Sequence, residues 1–155
     1  MSCIVAVDPG ISGAIAFLFP EAPERVIAED MPVAAGDVDA TTLANRIAAR
    51  APTLAIVERV SAMPKQGVSS TFRFGRAYGT ALGVIGALKV PLILVTPAKW
   101  KGHFRLSADK EQSRALALRT FPACAEQFQR KKDHGRAEAA LLALYALHCE
   151  QRAAA

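Results

Sequence analysis

The chain has 155 residues, 52% of them hydrophobic and 21% charged, a composition that suits one globular domain with a sizeable core and excludes a disordered or collagen-like polymer. Nineteen Lys and Arg stand against fourteen Asp and Glu, a formal charge of +5. That modest excess favours a polyanionic partner without requiring one.

Residues 4–7 and 14–19 are apolar runs joined by DPGISG, in which Pro9, Gly10 and Gly13 supply turn chemistry, so a β-hairpin is predicted. Residues 24–33 (ERVIAEDMPV) read as a third strand, and AAGDVDATT as a loop. Leu43 and Ile47 share the face of a predicted helix that Asp39 or Thr41 can cap and Pro52 ends. TLAIVERV (53–60) is a fourth, β-rich strand ending in Glu58, followed by the polar loop SAMPKQGVSS. From 70 to 88 the period is helical, with Phe72, Ala77, Leu82 and Ile85 among the apolar positions. Gly75, Gly79, Gly83 and Gly86 also fall there, each weakening a helix by up to about 1 kcal/mol, a cost tolerated where close approach to a neighbour offsets it.

VPLILVTP (90–97) reads as a fifth strand, central by its apolarity, and AKWKGHFRLSADK as a basic connection. A helix capped by Ser107 runs up to Pro122, and QRKKDHGR is a charged loop. AEAALLALYALHCEQR is apolar on nearly all sides and predicts a well-buried last helix, with AAA as a frayed tail. The order β-β-β-α-β-α-β-α-α predicts an α/β fold: a mixed sheet with helices on both faces. No run approaches the roughly 18 uncharged apolar residues of a membrane span. Asp8 breaks the first apolar run, so no secretory leader is visible. Cys3, Cys124 and Cys149 form neither a disulfide framework nor a zinc pattern. One cytosolic domain over 1–155 is expected.

Four acids stand where apolar runs begin or end. Asp8 closes the first strand and Glu58 the fourth, Asp133 lies in the loop before the last helix, and Glu138 is in that helix's first turns. Each alone has an ordinary explanation. Asp-Pro-Gly opens turns, Glu58 can pair with Arg59, Asp133 sits in a solvated charge run, and Glu138 suits a helix N-terminus. If strands one and four are parallel neighbours, however, their C-terminal ends bring Asp8 and Glu58 together, with the start of the last helix beside them. Clustered carboxylates repel one another. A hard divalent cation relieves this, since Mg²⁺ binds through a few carboxylates, waters and phosphate oxygens. Two such ions about 4 Å apart can clamp a phosphodiester. Together with the strand order, the four acids point to a site for one or two Mg²⁺ ions, with Mn²⁺ able to substitute.

The whole pattern resembles the RuvC-like Holliday junction resolvases of the ribonuclease H-like superfamily over nearly the entire chain. IVAVDPGISGAIAF looks like that family's opening hairpin with its first catalytic aspartate, and AIVERV like the segment with the catalytic glutamate. FRFGRAYGTALGVIGAL is similar to its long helix, LSADKEQSRALALRTFP to its lysine-bearing helix, and KKDHGRAEAALLALYALHC to its last helix. The resemblance implies a five-stranded mixed sheet. By position, Asp8, Glu58 and Glu138 match the family's metal ligands. Many bacterial members place the fourth acid three residues before the last, which here is Gly135. Asp133 is then the expected fourth ligand, with His134 beside it as the rival. The longer spacing, and glutamate at 138 where aspartate is usual, point towards a phage-type branch.

Lys110 aligns with a basic residue near the scissile phosphate, and Lys101 is a plausible second, with Lys99 as its rival; their work would be to stabilise developing charge. Lys65, Arg73, Arg76, Lys99, Lys101 and Lys110 are the residues expected to touch DNA. The aromatic wedge of bacterial resolvases is missing after Glu58, where Ser61 and Met63 stand, so wedging would fall to Met63, Phe72 or Phe74. Trp100 can stack on a nucleotide, but packing against the last helices is the simpler reading.

The resemblance implies a metal-dependent endodeoxyribonuclease that resolves four-way junctions by paired symmetric hydrolysis, leaving 5′ phosphates. Asp8, Glu58, Asp133, Glu138 and Lys110 would be its catalytic residues, and a homodimer would supply the two sites. The Gly-rich helix at 70–88 is the candidate dimer face, and the cytoplasm of a bacterial or phage-infected cell the expected place. A ribonuclease H-like nuclease on flaps or hybrids is an alternative. So is a non-catalytic junction-binding protein, which Glu138 and Gly135 would suit. A sugar-kinase-like ATPase needs a longer chain with two lobes.

Overall fold

The computed structural model describes residues 1–155. Period-2 alternation in the strands decides its layers. In β1 (Ile4–Asp8), Ile4 and Ala6 join one core, while Val5 and Val7 join another on the opposite face. β2 (Ala14–Leu18) divides in the same way, with Ala14, Ala16 and Leu18 on the first face and Ile15 and Phe17 on the second. β6 (Leu54–Glu58) places Ile56 on the first face and Ala55 and Val57 on the second. Strands buried on both faces need a helical layer on each.

β3 (Val26–Asp30) and β7 (Leu92–Val95) complete a five-stranded sheet of order β3-β2-β1-β6-β7. β2 runs antiparallel to both β1 and β3, whereas β1, β6 and β7 are parallel. α1 (Ala40–Arg50) and α2 (Val68–Ala87) cover the second face with Leu43, Ile47, Ala77, Ala81 and Ile85. α5 (His134–Ala154) covers the first. It is buried nearly all round through its N-terminal two-thirds, because the sheet lies on one side and α4 (Lys110–Thr120) with the 3-10 turn Pro122–Phe128 on the other. Ala137, Ala140, Ala143 and Ala146, spaced three apart, have no exposure, and their small side chains let the helix lie close to the strands.

The mixed sheet with helices on both faces is the arrangement anticipated from the sequence. Several local expectations are corrected. The fifth strand of the sheet is an edge, not central, and Leu92 and Ile93 stay 39% and 38% exposed. An apolar run serves a core strand and an uncovered edge alike. The loop after β3 contains a short hairpin, β4 (Val33–Ala34) with β5 (Asp37–Val38). The basic connection after β7 is helical: Thr96 caps α3 (Pro97–His103), with Pro97 in the first turn. α4 is capped by Asp109, not Ser107; Ser107 turns back to Gln112 instead. The charged stretch before α5 includes a 3-10 turn, Lys131–Asp133, and α5 itself runs on through Ala154 rather than fraying at the last alanines. A side chain added at Gly75, Gly79, Gly83 or Gly86 would meet nothing within 4 Å, so no element of this chain uses their smallness.

α3 is tied to the C-terminal part of α5 by a polar chain. Arg152 donates to His103 Nδ1 (2.8 Å), which leaves His103 Nε2 to donate to His148 Nδ1 (2.9 Å). Burial holds both imidazoles below the ordinary histidine pKa, with the Arg152 charge adding to the effect. The unfolded chain therefore binds protons that the folded one resists. Stability should be full above the ordinary histidine pKa and fall as pH drops through and below it. Thermal unfolding followed from about pH 7 to about pH 5 should show a falling Tm, and a shallower fall in His148→Gln. Identical slopes would contradict this role for the pair.

Candidate active site

The alternation that layers the sheet also aims the acids. Asp8 follows Ile4 and Ala6, and Glu58 follows Ile56, so both carboxylates leave their strands on the α5 face. The parallel register pairs Val7 with Val57, so the next residues, Asp8 and Glu58, end neighbouring strands in step. Glu138, in the second turn of α5, reaches the same place and is 7% exposed. The three line one cleft of about 370 Å³ together with Lys101, Lys110, His134 and Phe74.

The hairpin turn forms the floor of the cleft. Gly13 N–H donates to the Gly10 carbonyl (3.1 Å), and a Cβ at Gly13 would fall 1.9 Å from the Asp8 carbonyl oxygen, so only glycine closes this turn against the end of β1. Gly135 at the start of α5 lies close over it, where a Cβ would approach the Ser12 carbonyl oxygen to 3.0 Å. A side chain at 135 would need the hairpin backbone to give by a few tenths of an ångström, a steric reason that favours glycine at the position three residues before Glu138.

Burial raises the Asp8 carboxyl well above the usual carboxylate range, and the charges of Glu138 and Glu58 raise it further against the opposing pull of Lys110 and Lys101. Burial likewise raises Glu58, partly offset by a hydrogen bond from Trp100. Lys101 Nζ stands 3.2 Å from Glu138 Oε1, yet that buried oxygen has no hydrogen bond of proper geometry. A repelling acid cluster with an unsatisfied buried oxygen is a donor set that suits a hard divalent cation. No three His, Cys, Asp or Glu side chains are arranged to hold an ion by themselves, so waters and phosphate oxygens would have to complete the shell of a cation bound here.

Of the residues singled out in the sequence, the structure brings together Asp8, Glu58, Glu138, Lys101 and Lys110, with His134 beside them. It does not bring Asp133 in. Asp133 is buried, and Arg130 takes up both its oxygens, through the backbone N–H (2.9 Å) and through Nε (3.0 Å) and Nη2 (2.8 Å). Burial alone would raise this carboxyl, but the Arg130 bonds outweigh it and hold the pKa below the usual range. Asp133 thus closes its own 3-10 turn, and its neighbour His134 is the one that faces the cleft. Lys65 and Lys99 are exposed outside the cleft, Arg73 lines an adjoining hollow with Ile11, Gln66 and Phe74, and Arg76 pairs with Asp37. Met63 and Phe72 are 66% and 67% exposed. Phe74 is half-buried beside Gly10 and forms a wall shared by the cleft and the hollows on either side.

Sequence reasoning gives Trp100 a packing or stacking role and misses its contact with the acid set. Trp100 is fully buried, as a packing role requires, but its indole N–H also donates to Glu58 Oε2 at 2.7 Å. Its place next to Lys101, just after the end of β7, was the one available signal.

This sheet order, with an acid-lined cleft at the C-terminal ends of its central strands, defines the ribonuclease H-like fold. No protein-family model and no curated protein sequence matches the chain. Among solved structures it is similar to Thermus thermophilus RuvC in complex with a Holliday junction substrate, with a TM-score of 0.65 at 18% identity over 97% of this chain and 96% of that one. It is also similar to the yeast mitochondrial Holliday junction resolvase Ydc2 (TM-score 0.63, 15% identity, 97% and 81% covered). Fowlpox virus resolvase with its substrate junction DNA is a third (TM-score 0.57, 16% identity, 94% and 99% covered). At these identities the likeness is one of fold, and it extends across nearly the whole chain.

The raised Asp8 pKa carries a sign. Between the ordinary carboxylate pKa and the raised one, the folded state holds a proton that the unfolded state releases, so stability falls as pH rises through that window. Asp8→Asn should therefore raise the Tm of the metal-free protein at pH 7 by a few degrees, at roughly 2–4 °C per kcal/mol for a chain of this size. Mg²⁺ or Mn²⁺ should raise the Tm of the wild type and not that of the variant. Calorimetry in chelator and in added metal checks both, and a variant less stable than wild type in chelator would refute the charge-crowding account.

Proposed function

We propose that the protein is a divalent-metal-dependent endodeoxyribonuclease that resolves four-way DNA junctions. The observation that carries this reading is the convergence of three carboxylates from β1, β6 and α5 with two lysines in one open cleft, on a fold shared with junction resolvases. Asp8, Glu58 and Glu138 would hold the cation, Mg²⁺ or Mn²⁺, with His134 at the rim. Bound there, a divalent cation offsets the carboxylate charges, acidifies water and stabilises charge on a phosphodiester. The chain's own residues do the rest. Lys110, at the start of α4, and Lys101 contact the phosphate and stabilise the charge that develops on its oxygens and on the 3′ leaving oxygen. The products would carry 5′ phosphates. Phe74 and the exposed Met63 and Phe72 supply apolar surface against unstacked bases at the junction centre. Glu138 reaching the cleft supports catalysis over binding alone.

Two symmetric cuts need two sites, so the working form would be a homodimer. α2 supports this, since Phe72, Gly75, Gly79, Gly83 and Gly86 make an exposed stripe along it. That stripe has no partner in this chain and lets a second backbone approach closely. No helix is long and apolar enough to cross a membrane, and we place the activity in the cytoplasm.

The test is Mg²⁺-dependent cleavage of a labelled four-way junction against duplex, flap and RNA–DNA hybrid. The junction should be cut preferentially, at paired sites. Equal rates on all four substrates would overturn the resolvase reading and leave a general nuclease. Asp8→Asn should keep junction binding and lose more cleavage than the roughly 10–100-fold typical of an outer-shell loss. Lys110→Ala should lose on the order of 10²-fold in cleavage rate with junction binding changed only a few-fold. Sedimentation should show a dimer for the wild type and a monomer for Gly79→Arg.

A further inference from the structure

α3 presents two consecutive side chains to two different acids of the cleft. Lys101 approaches Glu138, and Trp100 donates its N–H to Glu58. The Trp100 contact is the more constrained. The ring has no solvent exposure and packs in the core that includes Val95, Ile56 and the α5 leucines, with Phe104 edge-on at 6.5 Å. An indole fixed on all sides can aim its N–H in only one direction, and that N–H has one acceptor, Glu58 Oε2 at 2.7 Å. No other hydrogen bond reaches the Glu58 carboxylate, so Oε1 has no partner within the chain, and Glu58 lines the cleft. A buried neutral donor can order a carboxylate without adding a charge that would compete with a cation.

We propose that Trp100 is a positioning residue that fixes the Glu58 carboxylate and presents one oxygen, Oε1, to the metal. This rests on the metal-site reading above. The consequence is a preference among cations. Ca²⁺ favours flexible sites with two-oxygen carboxylate ligation, whereas Mg²⁺ demands compact octahedral geometry and takes carboxylates singly. A carboxylate whose plane is pinned by a buried indole N–H is less free to swing into two-oxygen ligation, which favours Mg²⁺ and Mn²⁺ over Ca²⁺. Outer-shell partners of this kind are worth roughly 10–100-fold in metal affinity.

The experiment uses the whole chain and three probes: Mn²⁺, Mg²⁺ and Ca²⁺, each titrated by calorimetry into wild type, Trp100→Phe, Glu58→Gln and the double variant. Trp100→Phe should weaken Mn²⁺ and Mg²⁺ binding about 10-fold or more while Ca²⁺ binding holds or tightens, so the selectivity ratio shifts. In the Glu58→Gln background the same change should cost almost nothing. A uniform loss for all three cations, or an equal loss in both backgrounds, would mean that Trp100 only packs, and would overturn the proposal. Wild type that binds none of the three cations would instead sink the metal-site reading itself. Should Trp100→Phe fail to fold, the wild type still decides, because Trp100 is the sole tryptophan. Its emission should shift on Mn²⁺-free Mg²⁺ titration in wild type and stay constant in Glu58→Gln. A shift of equal size in that variant, or no shift in a wild type that binds Mg²⁺, refutes the coupling.

Discussion

Parallel pairing of β1 with β6 is the constraint from which the cleft follows. Its register, Ile4 with Leu54 through Val7 with Val57, brings two strands of equal length to their ends together. Each then leaves the sheet with an acid whose direction is already set by period-2 alternation. A slip of one residue would turn one carboxylate into the α1–α2 core and leave the other alone. The register is protected because both faces of both strands are buried, so any slip exchanges two complete sets of core contacts. α5 lies across β1 and β2, and the same helix that closes the first core brings Glu138 to the strand ends.

The site opposes the fold that builds it. Asp8, Glu58 and Glu138 would each be easier to accommodate apart, and the raised carboxyl pKa values of Asp8 and Glu58 record that strain in electrostatic form. The surroundings meet it with fixed partners instead of solvent. Lys101 and Lys110 supply positive charge, and Trp100 a neutral donor. Helix α3 contributes two of the three from adjacent positions, one from the core side and one from the cleft side. It is tethered to α5 through His103, His148 and Arg152, so the element that orients the acids is itself held by the helix that carries one of them. Arg130 has a comparable part at the start of α5, where its bonds to Asp133 fix the turn that sets His134 and Gly135 over the hairpin.

Much of this was legible in the residues. The strand ends at Asp8 and Glu58, the hairpin between β1 and β2, the Asp39 cap of α1 and the buried last helix all follow from local rules of alternation, turn chemistry and capping. The acid set was recognisable because chemistry places carboxylates where apolar patterning breaks off. The misjudged features share a different character. The edge position of β7 depends on what lies beyond it, and its apolar sequence is the same with or without a neighbour. The helical start of the basic connection rests on Thr96 and Pro97, a capping signal overshadowed by the run of charges. Asp133 joins the expected acid set through its place before the last helix and through the family resemblance, whereas its oxygens are committed to a residue three positions away.

The sequence by itself therefore determined the layer plan and the positions at which acids leave the strands, because both arise between residues a few places apart. Tertiary structure decided which acids meet and what holds them. Trp100 and Glu58 are 42 residues apart, and their bond exists only because β6 and β7 are parallel neighbours and α3 folds back against the sheet. The position of Trp100 beside Lys101 hints at nearness to the cleft, but neither residue's own neighbourhood encodes the contact with the other. It is a consequence of packing, and with it comes the orientation of the carboxylate on which the proposed chemistry depends.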